Sequence, residues 1–551
     1  MAKHLKTLII LLVFLLAFVL RVYKVTSDPP SLNWDEASIG YNAYSILKSG
    51  RDEWNKSFPL HFKSYGEYKL PAQIYASIPG IAVFGLTELG VRITPVVYGT
   101  LTVVLLYFLT KALFASELVA IVSSFLLAVS PWHIQLTRGS FESSFSVFWV
   151  VLGIWFLVKG FKKPYWWIIA AIPFGVSVYT YNSARVFTPL FLFAVGIIYR
   201  SKFWKHKKET LLAGLLFTAL LLPLIPFIAS GEAKARYRLV SITDDAGLIP
   251  RIEERRNLSK LPKPLTILIH NRVTYVGYYF AQNYLAHFSP DFLFINGAPH
   301  KQHHVQKVGE LFAIQAPFLL IGLYYLFKKK EKYRWLVVVW ILITFIPVAT
   351  TNDSIPNALR TLIAAPPYQI LTGLGVYAIY LLLKGRGKLV SYSFWGVVAF
   401  ILISSLYSFL FHLFKIYPVA YSRDWQYGYK QAVGYVRENQ DKYDLVVFSR
   451  TYGEPHMFTL FFLPYEPASY QASPNLVRYE SFDWIWVTNF DKYYFPDLGD
   501  TGTKYEDILK KFPDKKMLFI GKSGDFPEDA PRLKTINFLD GSRAFEIVEV
   551  K

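Results

Sequence analysis

The chain reads as a polytopic α-helical membrane protein that ends in a small α/β domain. Hydrophobic residues make up 53% of its 551 positions, and the mean hydropathy is +0.29. Lys and Arg gather in short runs between long apolar stretches, and from Tyr421 onward those stretches give way to short alternating strand and helix patterns. An aromatic share of 18% fits the layer where lipid meets water, which Tyr and Trp favour.

The formal charge of +20 raises nucleic acid as a partner, and the position of the charge argues against it. Basic runs occur at Lys159, Lys162 and Lys163; at Arg200, Lys202, Lys205, Lys207 and Lys208; at Lys328, Lys329, Lys330, Lys332 and Arg334; and at Lys384, Arg386 and Lys388. Between apolar segments such runs mark cytoplasmic loops, whereas nucleic-acid binding needs a basic face on a folded soluble module. The absence of cysteine excludes disulfides and thiolate metal sites.

A lipid-crossing helix needs roughly 20 mainly apolar residues, because only a continuous helix satisfies its own backbone in hydrocarbon. The segments meeting that need are 6–24, 92–112, 117–136, 144–160, 164–181, 186–201, 209–230, 309–327, 334–350, 362–383 and 392–413, about eleven transmembrane helices. The first, after the basic flank of Met1 to Lys6, has no small-residue cleavage site and is expected to be a retained span. With the N-terminus cytoplasmic, an odd count puts every basic run inside and the end of the chain outside, as expected for a multi-pass protein of the cell membrane. Segment 70–84 is apolar but short and carries Pro71, Pro79 and Gly80, so it reads as a juxtamembrane helix, with a short span as the alternative. The expected organisation is a transmembrane domain over 1–413, with external loops 25–91 and 231–308, and an extracytoplasmic α/β domain over 414–551. Within the latter a helix is predicted at 424–439, strands at 445–449, 484–488, 517–520, 535–538 and 545–550, and a helix at 505–511. Gly521, Ser523 and Gly524 are assigned to a turn, because no nucleotide-binding pattern is complete around them.

The polar residues at the external ends of the spans are the candidates for chemistry. After the helix-stopping Pro29-Pro30, Asp35 and Glu36 lie where a new helix begins. They would favour the helix dipole in any case, but a carboxylate there can also act as a general base toward a hydroxyl. A second acid, Glu142, follows Arg138 at i,i+4, a spacing that allows a simple ion pair, and charge beside hydrocarbon is more often functional. Lys69, after Glu67, is either a snorkelling interface lysine or a phosphate contact. Arg185 and Arg360 are further cations with no adjoining basic run. Arginine suits phosphate because its planar fork makes bidentate charge-assisted bonds. His300, His303 and His304, with Glu67 or Glu142, are candidate ligands for a divalent metal ion; a solvated histidine-rich loop is the other reading.

These motifs resemble the GT-C glycosyltransferases related to protein O-mannosyltransferases and to the aminoarabinose transferase of lipid A, a glycosyltransferase family 39-like group. The resemblance covers roughly residues 5–413. It rests on Trp34-Asp35-Glu36, Lys69 to Pro71, Val91-Arg92-Ile93-Thr94-Pro95, Ser130-Pro131-Trp132-His133, the Arg138 to Glu142 segment, and Leu359-Arg360 ahead of Ala364-Ala365-Pro366-Pro367. Leu70 departs from the commoner Lys-Pro-Pro form. The resemblance implies transfer of a sugar, usually with inversion, from a polyprenyl-phosphate donor lipid to a hydroxyl-bearing envelope acceptor on the extracytoplasmic face. It also implies Asp35 as the catalytic aspartate, Glu36 and Glu142 as shaping the acceptor or metal site, and Lys69, Arg138 and Arg360 as donor-phosphate contacts. A transporter or lipid flippase is the main competing function, since intramembrane charges also line permeation paths. A nonenzymatic receptor or scaffold is the third.

Overall fold

The structure is a computed structural model that describes residues 3–481, 484–499 and 502–550. Its chain forms two compact units: residues 1–23, 95–137 and 141–410 in one, and 24–94, 138–140 and 411–551 in the other. Residues 24–94, between the first two long apolar helices, thus group with the C-terminal residues.

The first unit is helical throughout. Among the described residues six helices are long and apolar enough to cross a membrane: His4–Val22, Glu88–Phe114, Glu142–Gly160, Lys207–Ala229, Ala358–Leu383 and Lys388–Ala420. Glu117–Val129, Tyr165–Val178, Asn182–Ile198 and Arg334–Ala349 are apolar but shorter. Every one of the eleven expected segments thus contains helix, but several are not continuous, and 117–136 breaks at Ser130. Ser130 leaves the helical region there, and a new helix, Pro131–Leu136, starts on the proline with the Ser130 hydroxyl capping it. Leu8, Leu11, Leu12 and Leu15 of the first helix and Val397, Phe400, Ile403 and Tyr407 of Lys388–Phe411 are exposed, the side-chain chemistry of a lipid-facing surface. Helix Gln315–Lys328 packs on Ala365–Leu383 through glycines: a Cβ at Gly322 would run into the Leu371 carbonyl, and one at Gly375 into the Phe318 carbonyl. Such small-residue contacts let membrane helices approach backbone to backbone.

The second unit contains an α/β sheet and, on the same core, the segment after the first helix. Two short strands, β1 (Phe62–Lys63) and β2 (Tyr68–Lys69), form an antiparallel hairpin that pairs Phe62 with Lys69. The main sheet comprises β3 (Leu445–Phe448), β4 (Val477–Ser481), β5 (Trp484–Phe490), β6 (Tyr493–Tyr494), β7 (Met517–Gly521), β8 (Arg532–Asn537) and β9 (Arg543–Val550). Their spatial order is β4-β5-β6-β3-β7-β9-β8, with β3 parallel to both β6 and β7. Continuous apolar runs suit β3 and β7 because both of their faces are covered. On one face Val446, Phe448 and Phe545 join Phe458 and Phe461 of helix Pro455–Phe462 and Tyr429 and Val433 of helix Tyr429–Asn439. Ala37, Ile39 and Tyr41 of helix Trp34–Ser49, and Ile74 and Ile81 of helix Pro71–Phe84, lie in that same core. Gly40 makes the approach feasible, since any side chain there would meet Phe461 and Val91. Segment 70–84, ambiguous in sequence, is accordingly a 14-residue helix packed in an α/β core.

Gly521, expected in a turn, is instead the last residue of β7, and Gly524, at φ +92°, lies in the turn that follows, as expected. Asp525 closes this turn by accepting the Lys522 backbone N–H at 2.9 Å, and burial raises its pKa to about 6, against the nearby Lys522 charge. A carboxyl raised in the fold disfavours the native state as pH climbs from its ordinary 3.8 through 6. Asp525→Asn is therefore expected to melt higher than the parent at pH 8, with the difference closing as pH falls toward 4. A pair of melting curves at the two pH values checks this; a variant that melts lower at pH 8 contradicts it.

Candidate active site

Asn33 opens helix Trp34–Ser49 with a capping box: its side chain accepts the Glu36 N–H at 2.9 Å, and its own N–H donates to Glu36 Oε2 at 3.3 Å. Position three of the helix thereby turns Glu36 inward. Arg92 meets it with two parallel bonds, Nε to Oε1 and Nη2 to Oε2, each 2.8 Å, and the Ser140 N–H donates to Oε1 at 2.8 Å. Four donors fill the acceptor capacity of a carboxylate. Arg92 is equally filled, since its remaining hydrogens go to the carbonyls of Val25, Pro29 and Ser31 at 2.9, 2.8 and 2.5 Å. Both side chains are fully buried.

Asp35, one residue earlier and 100° around the helix, points elsewhere: its side chain is 38% exposed. Lys69 Nζ donates to Asp35 Oδ1, and lies 3.8 Å from Glu67 Oε1. Lys69 itself is only 2% exposed, held by the β1–β2 hairpin. The Trp34 N–H, one of the helix's orphan donors, goes to Gln426 Oε1 at 2.9 Å, and Gln426 Nε2 donates to the Tyr452 carbonyl at 2.6 Å. Gln426 was not foreseen; it lies in an irregular turn at φ +54°, and no sequence pattern marks it.

Arg138 also lies in the second unit, fully buried, with Nη2 donating to the Asp28 carbonyl at 2.5 Å and lying 3.6 Å from its carboxylate. Its guanidinium covers the Phe414 ring at 4.9 Å. Burial lowers the Arg138 pKa to about 10 and raises that of Asp28 to about 6, the latter opposed by Arg138, Arg92 and Lys24. The structure thus brings together Asp35, Glu36, Lys69, Glu67 and Arg138 in one unit.

The other expected residues belong to the first unit. Glu142 is the first residue of helix Glu142–Gly160. Arg360 donates to Thr351 Oγ1 at 2.8 Å and to Asp353 Oδ2 at 2.6 Å. Arg185, on the first turns of Asn182–Ile198, lies over Phe227 at 5.1 Å, and its buried Nη2 has no hydrogen-bond partner among the described residues. The metal expectation needs correction. His300 and His303 stack ring on ring at 3.7 Å, and His304 Nε2 lies 3.8 Å from the buried Glu310. Among the described residues no group of three or more His, Asp or Glu side chains is placed to hold a metal ion, and Glu67 lies beside Lys69 instead.

A multi-pass helical chain with this α/β unit has the fold of the GT-C glycosyltransferases. ArnT from Cupriavidus metallidurans in the apo state is similar over 100% of this chain and 98% of its own, with TM-score 0.58 and 10% identity. The same enzyme bound to undecaprenyl phosphate gives TM-score 0.52 and 13% identity over the same shares. The apo oligosaccharyltransferase of Archaeoglobus fulgidus gives TM-score 0.48 and 14% identity over 84% of this chain, which spans 64% of that protein's length. A family model described as dolichyl-phosphate-mannose-protein mannosyltransferase matches residues 73–227. No curated protein sequence matches the chain.

Proposed function

We propose that the protein transfers a sugar from a polyprenyl-phosphate-linked donor to a hydroxyl group of an acceptor. The observation that carries this reading is the contrast between two adjacent acids. Glu36 is buried and has no acceptor position left, whereas Asp35 is partly exposed and rigidly seated beside Lys69. Of the expected catalytic acids, Asp35 is then the base, and Glu36 with Arg92 is a positioning pair that fixes the turn from which Asp35 projects. Asp35 takes the proton of the acceptor hydroxyl as its oxygen attacks the anomeric carbon. The bond from that carbon to the phosphate oxygen breaks, and polyprenyl phosphate departs with the electron pair, so attack from the opposite face inverts the centre.

Negative charge grows on the departing phosphate, where preorganised cations are most effective. Arg185 keeps one buried guanidinium nitrogen, Nη2, without a hydrogen-bond partner among the described residues, which supports it as a phosphate contact. Arg360 already bonds Asp353, and Arg138 already faces Asp28, so Arg138 is assigned to the scaffold in place of the donor site. Lys69 would hold Asp35 in orientation, and Glu142 remains a candidate at the acceptor site. The basic runs favour eleven spans with a cytoplasmic N-terminus, placing Asp35 and the α/β domain outside. The solved relative that carries undecaprenyl phosphate supports a lipid-linked donor.

The test is release of free polyprenyl phosphate by the purified chain in lipid nanodiscs, given a polyprenyl-phosphate sugar and then a mixture of hydroxyl acceptors. Release that depends on acceptor is the expected result. Movement of the intact donor lipid across a vesicle bilayer, without cleavage, would replace this reading with the transporter.

A further inference from the structure

The β4–β5 hairpin carries a row of aromatic rings that begins at the residue next to Asp35, and we infer that it is a binding platform for an oligosaccharide acceptor. This rests on the transferase reading and names its acceptor class. Along β5 the side chains alternate: Ile485 and Val487 are buried, while Trp484 and Trp486 are partly exposed on the other face. Trp34 lies 6.0 Å from Trp484 by ring centroids, and Trp484 lies 5.9 Å from Trp486. Tyr479, on the edge strand β4, is the cross-strand partner of Trp486 and is 37% exposed. The row is held in orientation, not loosely collapsed. Trp484 Nε1 donates to Glu454 Oε1 at 2.7 Å, and its ring stacks on Tyr65 at 16° and 5.9 Å.

Charged groups border the rings. The Arg450 guanidinium covers Trp486 at 4.6 Å, donates to the Tyr479 hydroxyl at 2.5 Å and lies 3.9 Å from Asp497 Oδ2. Arg450 comes two residues after β3 and Asp497 three after β6, outside the carboxyl ends of neighbouring parallel strands. From β3 the chain builds the sheet on the β6 side before β7 adds on the other, and ligands of open α/β sheets bind at such a reversal. Partly exposed indoles, one of them carrying a guanidinium on its ring with a carboxylate beside it, match a sugar ring, which offers an apolar C–H face and peripheral hydroxyls that both donate and accept. Tyr65, stacked on Trp484, lies 5.9 Å from Lys69 Nζ, which bonds Asp35, so a sugar chain lying along the row ends near the proposed base. An extended peptide would instead add to the open edge of β4 and leave the ring faces unused.

The experiment is saturation-transfer NMR and calorimetric titration of the full chain in nanodiscs, without donor. The probes are soluble tetrasaccharides from mannan, glucan and galactan, together with an unglycosylated nonapeptide. At least one tetrasaccharide is expected to bind the parent and Asp35→Asn alike, about tenfold more weakly to Trp486→Ala, and within about threefold of the parent to Trp486→Phe, which keeps a ring. Arg450→Gln serves as a second probe should Trp486→Ala misfold, and is expected to weaken the same saccharide. In turnover, Trp486→Phe and Arg450→Gln should raise KM for that saccharide more than they alter kcat. Equal binding by all variants overturns the platform, as does binding of the peptide alone. Saccharide binding that needs Trp486, combined with undiminished transfer by Asp35→Asn, would leave the platform standing and remove the assigned base.

Discussion

Asp35→Asn is expected to lower sugar transfer by about 10²–10⁴-fold while leaving a folded, membrane-inserted protein. Asparagine keeps the shape of the side chain and can still accept a hydrogen bond from Lys69, but it cannot take a proton from the acceptor. The fold should tolerate the change because Asp35 contributes nothing to the buried lock around Glu36, and because Glu67 stays 3.8 Å from the lysine it leaves behind. Turnover measured beside a melting curve separates the two effects. Activity within threefold of the parent would remove Asp35 from the chemistry, and a collapsed melting point would assign it to the scaffold.

The opposite pattern is expected of Arg92→Met. Methionine fills the volume, but the substitution strands an ionised Glu36 and the carbonyls of Val25, Pro29 and Ser31 in a fully buried site. Breaking one side of such a pair costs about 3–5 kcal/mol, and the loss should appear as a much lower melting point and poor accumulation in membranes. Adding Glu36→Gln to Arg92→Met should recover part of that stability, since the uncompensated charge is gone. A single variant melting within 2 °C of the parent, no more than the ~2–4 °C expected per kcal/mol for a unit of this size, would show that the buried pair does not hold this turn.

Much of this was legible in the residues. Runs of apolar side chains and basic loops specify membrane helices because the hydrocarbon itself enforces the requirement on each segment separately. The Trp34-Asp35-Glu36 motif was visible for a similar reason, since the proline pair and the capping side chain act locally. The short helix Pro455–Phe462 was missed because it is apolar on every side and shows no helical period, and two-residue β6 is too short for any.

Sequence alone settled where the long apolar helices lie and which acids stand at the start of Trp34–Ser49. It could not say that Glu36 faces Arg92 and Ser140 while Asp35 faces Lys69, because neighbouring residues on a helix point in different directions and their partners come from 34 to 104 positions away. Nor could it say that the histidines and Glu67 form no metal-holding group among the described residues, or that helix Pro71–Phe84 belongs to an α/β core. Those outcomes depend on long-range packing, in which a side chain's role is fixed by what the rest of the chain brings against it.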